Sequence, residues 1–270
     1  MKTKKSITFN IVFFVLVLTI TVPVLAMIVW IFTERWAWPD IWPQVLSLRS
    51  VREVLHTGGL LTGIILSSTV ISCAVAALSV VIGLMTARAL VFYDFFGKCL
   101  IYFFTSLPLM VPVSVFAMGA HLTFIRLGLN NTVFGVIIAH LICSLPYAVH
   151  LLAAGTEALG SGLEEQARVL GASGLCAFRR ITLPLLAPVI LTAFSMSYIV
   201  SFSQYFLTLL IGGGQVRTFT VIMVPYLQGG ERNIASIYST IFLGITLIVQ
   251  ALLEKIIGRW NKNEGNHFYS

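Results

Sequence analysis

Residues 155–184 read GTEALGSGLEEQARVLGASGLCAFRRITLP, the longest stretch carrying both charge signs in a chain that is otherwise mostly apolar. Its spacing is that of a folded object. Leu163, Ala167 and Leu170 recur at i, i+4 and i+7, which predicts a short helix with an apolar face. Glu164 and Glu165 stand in its first turns, where negative charge suits the helix dipole. Gly171 fits the left-handed residue that ends such a helix, and Ser173 can cap a second one. Phe178 and Ile181 then share a face leading towards Pro184, which suits the entry to an apolar run. Arg179 and Arg180 are placed for a headgroup layer. Structureless connections of this length are uncommon, so the stretch reads as a rigid helix–turn–helix knob.

What surrounds the knob is lipid-soluble. The chain is 58% hydrophobic and 10% charged, against about 25% charged in ordinary soluble domains. The net charge of +7 could point to nucleic acid, but the basic residues are scattered among loops and both ends instead of forming one patch. A membrane accounts for them better, with lipid as the partner. Six apolar runs, 7–32, 60–87, 99–125, 132–154, 185–211 and 234–257, are long enough to cross a bilayer, which takes about 20 residues. None holds Asp, Glu, Lys or Arg away from its ends. With the N-terminus inside, the inner segments carry eleven Lys and Arg and the outer ones six, so the positive-inside rule puts both termini and residues 155–184 in the cytoplasm.

The first run continues past Ala26, longer than the apolar part of a secretory signal, and reads as an uncleaved anchor. Outside it, Trp36, Trp38 and Trp42 suit an interfacial aromatic belt. Val45, Leu48, Val51 and Leu55 predict a short amphipathic helix on the surface. Cys73, Cys99, Cys143 and Cys176 have no C-x-x-C spacing, which supports neither a disulfide framework nor zinc, and they read as small buried hydrophobes.

Glu165-Gln166-Ala167, Gly171 and Ile181-x-Leu183-Pro184 resemble the EAA loop of ABC importer permeases, E-A-A-x3-G-x9-I-x-L-P, with Gln166 in place of the middle alanine. The agreeing positions would coincide by chance roughly once in ten million starts at average residue frequencies. The resemblance implies an all-α polytopic membrane protein with six transmembrane helices. It implies a MetI-like permease bundle over residues 60–257, an N-terminal anchor and outer segment over 1–59, and a cytoplasmic tail over 258–270. It also implies a coupling helix that docks on a separate ATPase. Glu164, Glu165, Gln166, Ala167, Gly171, Ala172, Ser173, Ile181, Leu183 and Pro184 are the candidate coupling residues. Glu165 makes the polar contact, Ala167 permits close approach and Gly171 turns the chain. Softer agreement lies in Leu107-Pro108 with Pro112, in Leu145-Pro146-Tyr147, and in Thr218 with Val221.

The implied partners are a cytoplasmic ABC ATPase dimer, a second permease subunit and an extracytoplasmic substrate-binding protein, in a bacterial inner membrane. No phosphate-binding loop of the form G-x-x-x-x-G-K-[ST] occurs, and no cofactor, metal or catalytic residue is expected in this chain. The segment from 199 to 239 looks most like permeases for spermidine/putrescine, ferric iron and thiamine-type solutes. In place of the acidic residue frequent there, this chain has Ser203 and Gln204. Ser201, Ser203, Gln204 and Tyr205 are the pathway candidates, since small and polar residues there can face a water-filled route.

Two other readings fare worse. An ion-coupled secondary transporter usually keeps ionisable groups inside the membrane, and here only His121 and His140 stand well inside spans. Both read as neutral histidines bonded to neighbouring helices more readily than as a proton relay. An intramembrane serine protease is suggested by Gly171-Ala172-Ser173-Gly174, but Ser173 lies in the charged loop with no base to activate it.

Overall fold

In hydrocarbon every backbone donor and acceptor must find a partner within the chain, so uninterrupted apolar runs fold as helices. The computed structural model describes residues 2–36, 40 and 42–267, with side chains from residue 9 to residue 256 among them. Trp38 of the expected aromatic belt lies outside the described residues. In chain order the elements are α1 (Lys2–Ile31), β1 (Thr33–Arg35), β2 (Val45–Leu46), α2 (Arg49–His56), α3 (Gly58–Phe92), α4 (Lys98–Met110), α5 (Val113–Arg126) and α6 (Val133–Leu159). After these come α7 (Gly162–Val169), α8 (Gly174–Ala177), a π-helical turn (Phe178–Thr182), α9 (Leu183–Phe202), α10 (Phe206–Gly212), α11 (Phe219–Gly229) and α12 (Arg232–His267).

Among the described residues five helices are long and apolar enough to cross a membrane, and a sixth crossing is counted if α4 and α5 form one span. Those two are bent by 111°. The third expected span is therefore a broken one, and proline is the reason. Val111, which precedes Pro112, is extended at φ −93°, ψ 129°, as the residue before a proline is pushed to be. Pro112 itself has no N–H to continue α4. The fifth expected run also divides: α9 ends at Phe202, and Ser203–Tyr205 separate it from α10.

The described chain forms two compact units, residues 1–62 with 222–245 and residues 63–221 with 246–270. In the first unit, β1 and β2 pair antiparallel. Val45 and Leu46 are thus taken into a strand, and the expected surface helix starts later, at Arg49, with Val54 as its buried residue. Trp30 stacks on Trp36 with ring centroids 4.9 Å apart, and the Arg232 guanidinium lies 5.2 Å from the Trp30 ring. The α1 side chains from Phe9 to Leu25 are all exposed, as lipid-facing apolar residues are.

Two apolar clusters lie within the second unit among the described residues. Ile71 and Val75 of α3, Ala117 and Phe124 of α5, Val136, Ala139 and Cys143 of α6, and Leu207 and Ile211 of α10 make one. Leu84 and Ala87 of α3, Ala148 and Leu152 of α6, and Leu186 and Ala193 of α9 make the other. Thr132 starts α6 by accepting a 3.0 Å hydrogen bond from the Gly135 N–H. All four cysteines are free, but only Cys143 is buried; Cys73 and Cys176 are half-buried and Cys99 is exposed. In a membrane protein an exposed thiol can face lipid at little cost, so burial is not forced on it.

Candidate functional site

The segment between α6 and α9 is built as a knob. Helix α7 closes with the Gly171 N–H on the Arg168 carbonyl and the Ala172 N–H on the Ala167 carbonyl, each at 3.0 Å. That pairing is the Schellman motif, and it needs a left-handed residue at its centre. Gly171 supplies it at φ 91°. Ser173 then caps α8, its hydroxyl accepting from the Cys176 N–H at 3.4 Å. The hydroxyl is thus engaged in holding a helix end. Pro184 stands in the first turn of α9, where a missing N–H costs nothing.

The inward side of α7 is not its apolar face. Leu163 and Leu170 are exposed and Ala167 is half-buried, so the apolar face does not pack against the spans. Glu164 does. Its carboxylate takes a bidentate hydrogen bond from Arg88 of α3, at 2.9 and 3.0 Å. The Thr182 hydroxyl of the π-helical turn donates to the same carboxylate. Arg88 lies between two rings, its guanidinium carbon 4.7 Å from the Phe178 centroid and 5.4 Å from that of Phe92. The Arg88 and Glu164 side chains are only 19% and 9% exposed. A planar guanidinium matched to a carboxylate and stacked on aromatic faces is a geometry lysine cannot copy. Chiefly through the Arg88 hydrogen bond, the Glu164 carboxyl titrates below the ordinary glutamate range, although burial opposes the shift. With the folded value lowered, this stabilisation is present above the ordinary glutamate pKa and lost only as pH falls through the lowered one. The pair is intact at neutral pH.

What remains outward is Glu165, Gln166, Gly171 and Ser173, with Ala172 half-buried. Beside them Val169 and Leu170 are each 88% exposed and Leu175 is 77% exposed. Arg179 and Arg180 are exposed; Ile181, Leu183 and Pro184 are half-buried at the root of α9. Sequence reasoning placed Glu164 with the docking residues and missed Arg88. The available signal was a lone arginine inside an apolar run that resumes with Ala89, Leu90, Val91 and Phe92.

The pathway candidates separate. Gln204 lines a cavity of ≈ 370 Å³ together with Pro108, Met110 and Pro112 of the α4–α5 break, Cys143, Tyr147 and Val200. Ser203 is exposed and Tyr205 half-buried. Ser201 is buried and lies 2.9 Å from His140 Nδ1. His140 Nε2 is 2.8 Å from the Thr208 hydroxyl, which donates to the Gln204 carbonyl at 2.9 Å. Thr208 spends its one proton on that carbonyl, so the hydrogen between it and His140 sits on Nε2. Thr220 donates to the same carbonyl at 2.9 Å. Two hydroxyls thus satisfy the acceptor freed where α9 stops, as irregular backbone at membrane depth requires. His140 is bonded to neighbouring helices, as the sequence suggests. His121 is not: its Nδ1 is buried without a hydrogen-bond partner among the described residues. Among the described residues no group of three or more His, Cys, Asp and Glu could hold a metal ion.

Comparison with known proteins agrees with this architecture. The profile of the binding-protein-dependent transport system inner membrane components matches residues 79–262. The molybdate/tungstate transport system permease protein WtpB of Pyrococcus abyssi is 28% identical over 216 residues, covering 80% of this chain and 86% of the relative. The spermidine/putrescine transport system permease protein PotC of Haemophilus influenzae is 24% identical over 196 residues, 73% of this chain and 76% of the relative. Among solved structures, a bacterial ABC transporter involved in the import of the acidic polysaccharide alginate superposes with a TM-score of 0.68 at 16% identity, covering 93% of this chain and 95% of that one.

Proposed function

The chain belongs to the family of binding-protein-dependent transport system inner membrane components, and from that premise we propose that it is driven through the α7–α8 knob by a separate ATPase. As a family member it is the permease subunit of an ABC importer, a class that works with an ATPase and a substrate-binding protein. The observation that carries the finer reading is the knob itself. Its turn is fixed by Gly171, its base is pinned by Glu164, and its outer surface presents Glu165 beside bare Val169, Leu170 and Leu175. Apolar side chains exposed at the edge of a charged helix mark a protein contact more readily than a solvated loop.

In this proposal both termini and the knob lie in the cytoplasm. Two permease subunits stand beneath one binding protein and above two ATPase subunits, and ATP-driven closure of the ATPases draws the paired knobs together. The bundle has two arrangements, and the knob biases which one is occupied. Gln204, on the cavity beside the broken α4–α5 span, lines the solute route.

The cargo is chosen elsewhere. Relatives sharing this bundle are named for an oxyanion and for a polycation, and no span of this chain carries an acidic or basic residue at its centre. A neutral route accepts either sign, which leaves selection to the binding protein. Glu165→Ala tests the docking assignment. With the purified ATPase titrated onto the permease in detergent, affinity is expected to fall about tenfold, the scale of one exposed polar contact with its neighbours at an interface. Unchanged affinity removes Glu165 from the interface.

A further inference from the structure

We propose that Arg88, Glu164 and Thr182 form the strut through which movement of the knob reaches the spans, so that Glu164 is a positioning residue and Glu165, its neighbour, is the docking one. This rests on the coupling reading above and adds the path by which the push is transmitted.

The geometry favours a strut over a simple surface ion pair. A single oxygen–nitrogen contact can swivel, whereas two parallel hydrogen bonds fix the relative orientation of two side chains. Here the Arg88 guanidinium meets both Glu164 oxygens at 2.9 and 3.0 Å, and Phe92 and Phe178 hold the guanidinium. The carboxylate is simultaneously held by Thr182 at the foot of α9. One carboxylate therefore ties α7 to two spans, α3 through Arg88 and α9 through Thr182. Apart from this carboxylate, the knob is joined to the bundle by the chain itself and by Phe178, which packs against the apolar cluster that includes Leu84 and Ala87 of α3 and Leu186 of α9. Without the strut α7 could pivot on its own turns, and less of its displacement would reach α3. The π-helical turn lies where α8 passes into α9, a local feature often found at functional positions. Burial keeps the pair from being screened by salt, so the connection holds under ordinary ionic conditions.

The test reads motion at both ends of the strut and needs no cargo. In the complex purified with its ATPase, an environment-sensitive fluorophore is placed either on α7, at Leu163→Cys, or on α3, at Met85→Cys, which is 71% exposed. Native cysteines are replaced by serine in both. With ATP and vanadate, both labels are expected to shift. In a Glu164→Gln background the α7 label keeps its shift while the α3 shift falls about tenfold, the loss expected when a charge-assisted bidentate pair becomes a neutral contact. Arg88→Lys, which keeps charge but not the fork, is expected to give an intermediate loss. A merely structural anchor would lower the yield of the complex and diminish both shifts alike. Full shifts of both labels in Glu164→Gln overturn the strut while leaving the coupling reading standing. Should Glu164→Gln fail to assemble, Thr182→Val decides, and an undiminished α3 shift there overturns the proposal as well. No shift at either label in the unsubstituted complex removes the coupling reading and the strut with it.

Discussion

Gly171→Pro is expected to abolish stimulation of the ATPase by this permease while leaving the protein in the membrane at its usual level. Gly171 sits at φ 91°, and proline fixes φ near −65° and has no N–H. The substitution therefore removes the 3.0 Å bond to the Arg168 carbonyl and reverses the turn between α7 and α8. It also disfavours the φ −78°, ψ 8° conformation of Leu170, now the residue before a proline. Such a change costs about 3 kcal/mol or more, which corresponds to roughly a hundredfold shift in the population of the formed turn. Gly171→Ala retains the N–H and meets only the left-handed penalty of about 1–2 kcal/mol, so it falls between. The measurement is ATP hydrolysis by the reconstituted complex against that of the isolated ATPase, with insertion followed by membrane fractionation. Because Gly171 is outside every span, insertion serves as the internal control. Equal stimulation by all three proteins would show that the turn has no part in coupling.

The second large effect is expected at Gly155, on α6 where it passes α9. A Cβ there would stand 2.8 and 3.0 Å from the two Val189 methyl carbons. Small residues let membrane helices approach closely, and here closeness is bounded by a branched side chain whose χ1 is stiff. Gly155→Leu is expected to lower stability by about 1–3 kcal/mol, the usual range for overpacking, read as a fall in the thermal midpoint in detergent. Gly155→Ala is milder. Val189→Ala should recover much of the Gly155→Ala loss, since the second change removes the atoms that the first collides with. Such non-additivity between touching residues is the signature of direct contact. Additive effects would place the two residues in separate environments.

What could be read ahead of the structure was local. The helix over 162–169, the left-handed Gly171, the Ser173 cap and the place of Pro184 all follow from interactions within a few residues. The missing connections are long-range ones. Arg88 and Glu164 are 76 positions apart, and nothing in the knob's own periodicity shows which of two adjacent glutamates turns inward. Hydrophobic patterning marked an apolar face at Leu163 and Leu170 but not which way it turned, and in the fold the inner place goes to Glu164. At the rim of a membrane bundle an arginine competes for that place, and desolvating it requires a carboxylate. The broken third span was half visible. Pro108 and Pro112 stood in the sequence, but summed hydropathy runs through a kink unchanged. The break after Phe202 was hidden for the same reason, since Leu207, Leu209, Leu210 and Ile211 continue the apolar run on the other side. The His140 network was legible only as an expectation that a buried histidine finds partners; Ser201 and Thr208 became identifiable through the fold.

Photocrosslinking tests the account most directly. A photoreactive benzophenone residue replaces Leu170, at the bare tip of the knob, and a second version carries it at Phe14 on α1, which is 65% exposed. On illumination of membranes containing the assembled system, the Leu170 probe is predicted to join this chain to a cytoplasmic ATPase, and the Phe14 probe to leave the ATPase unlabelled. An ATPase left unlabelled from Leu170, with the assembled complex present, would contradict the claim that this knob is where the motor attaches.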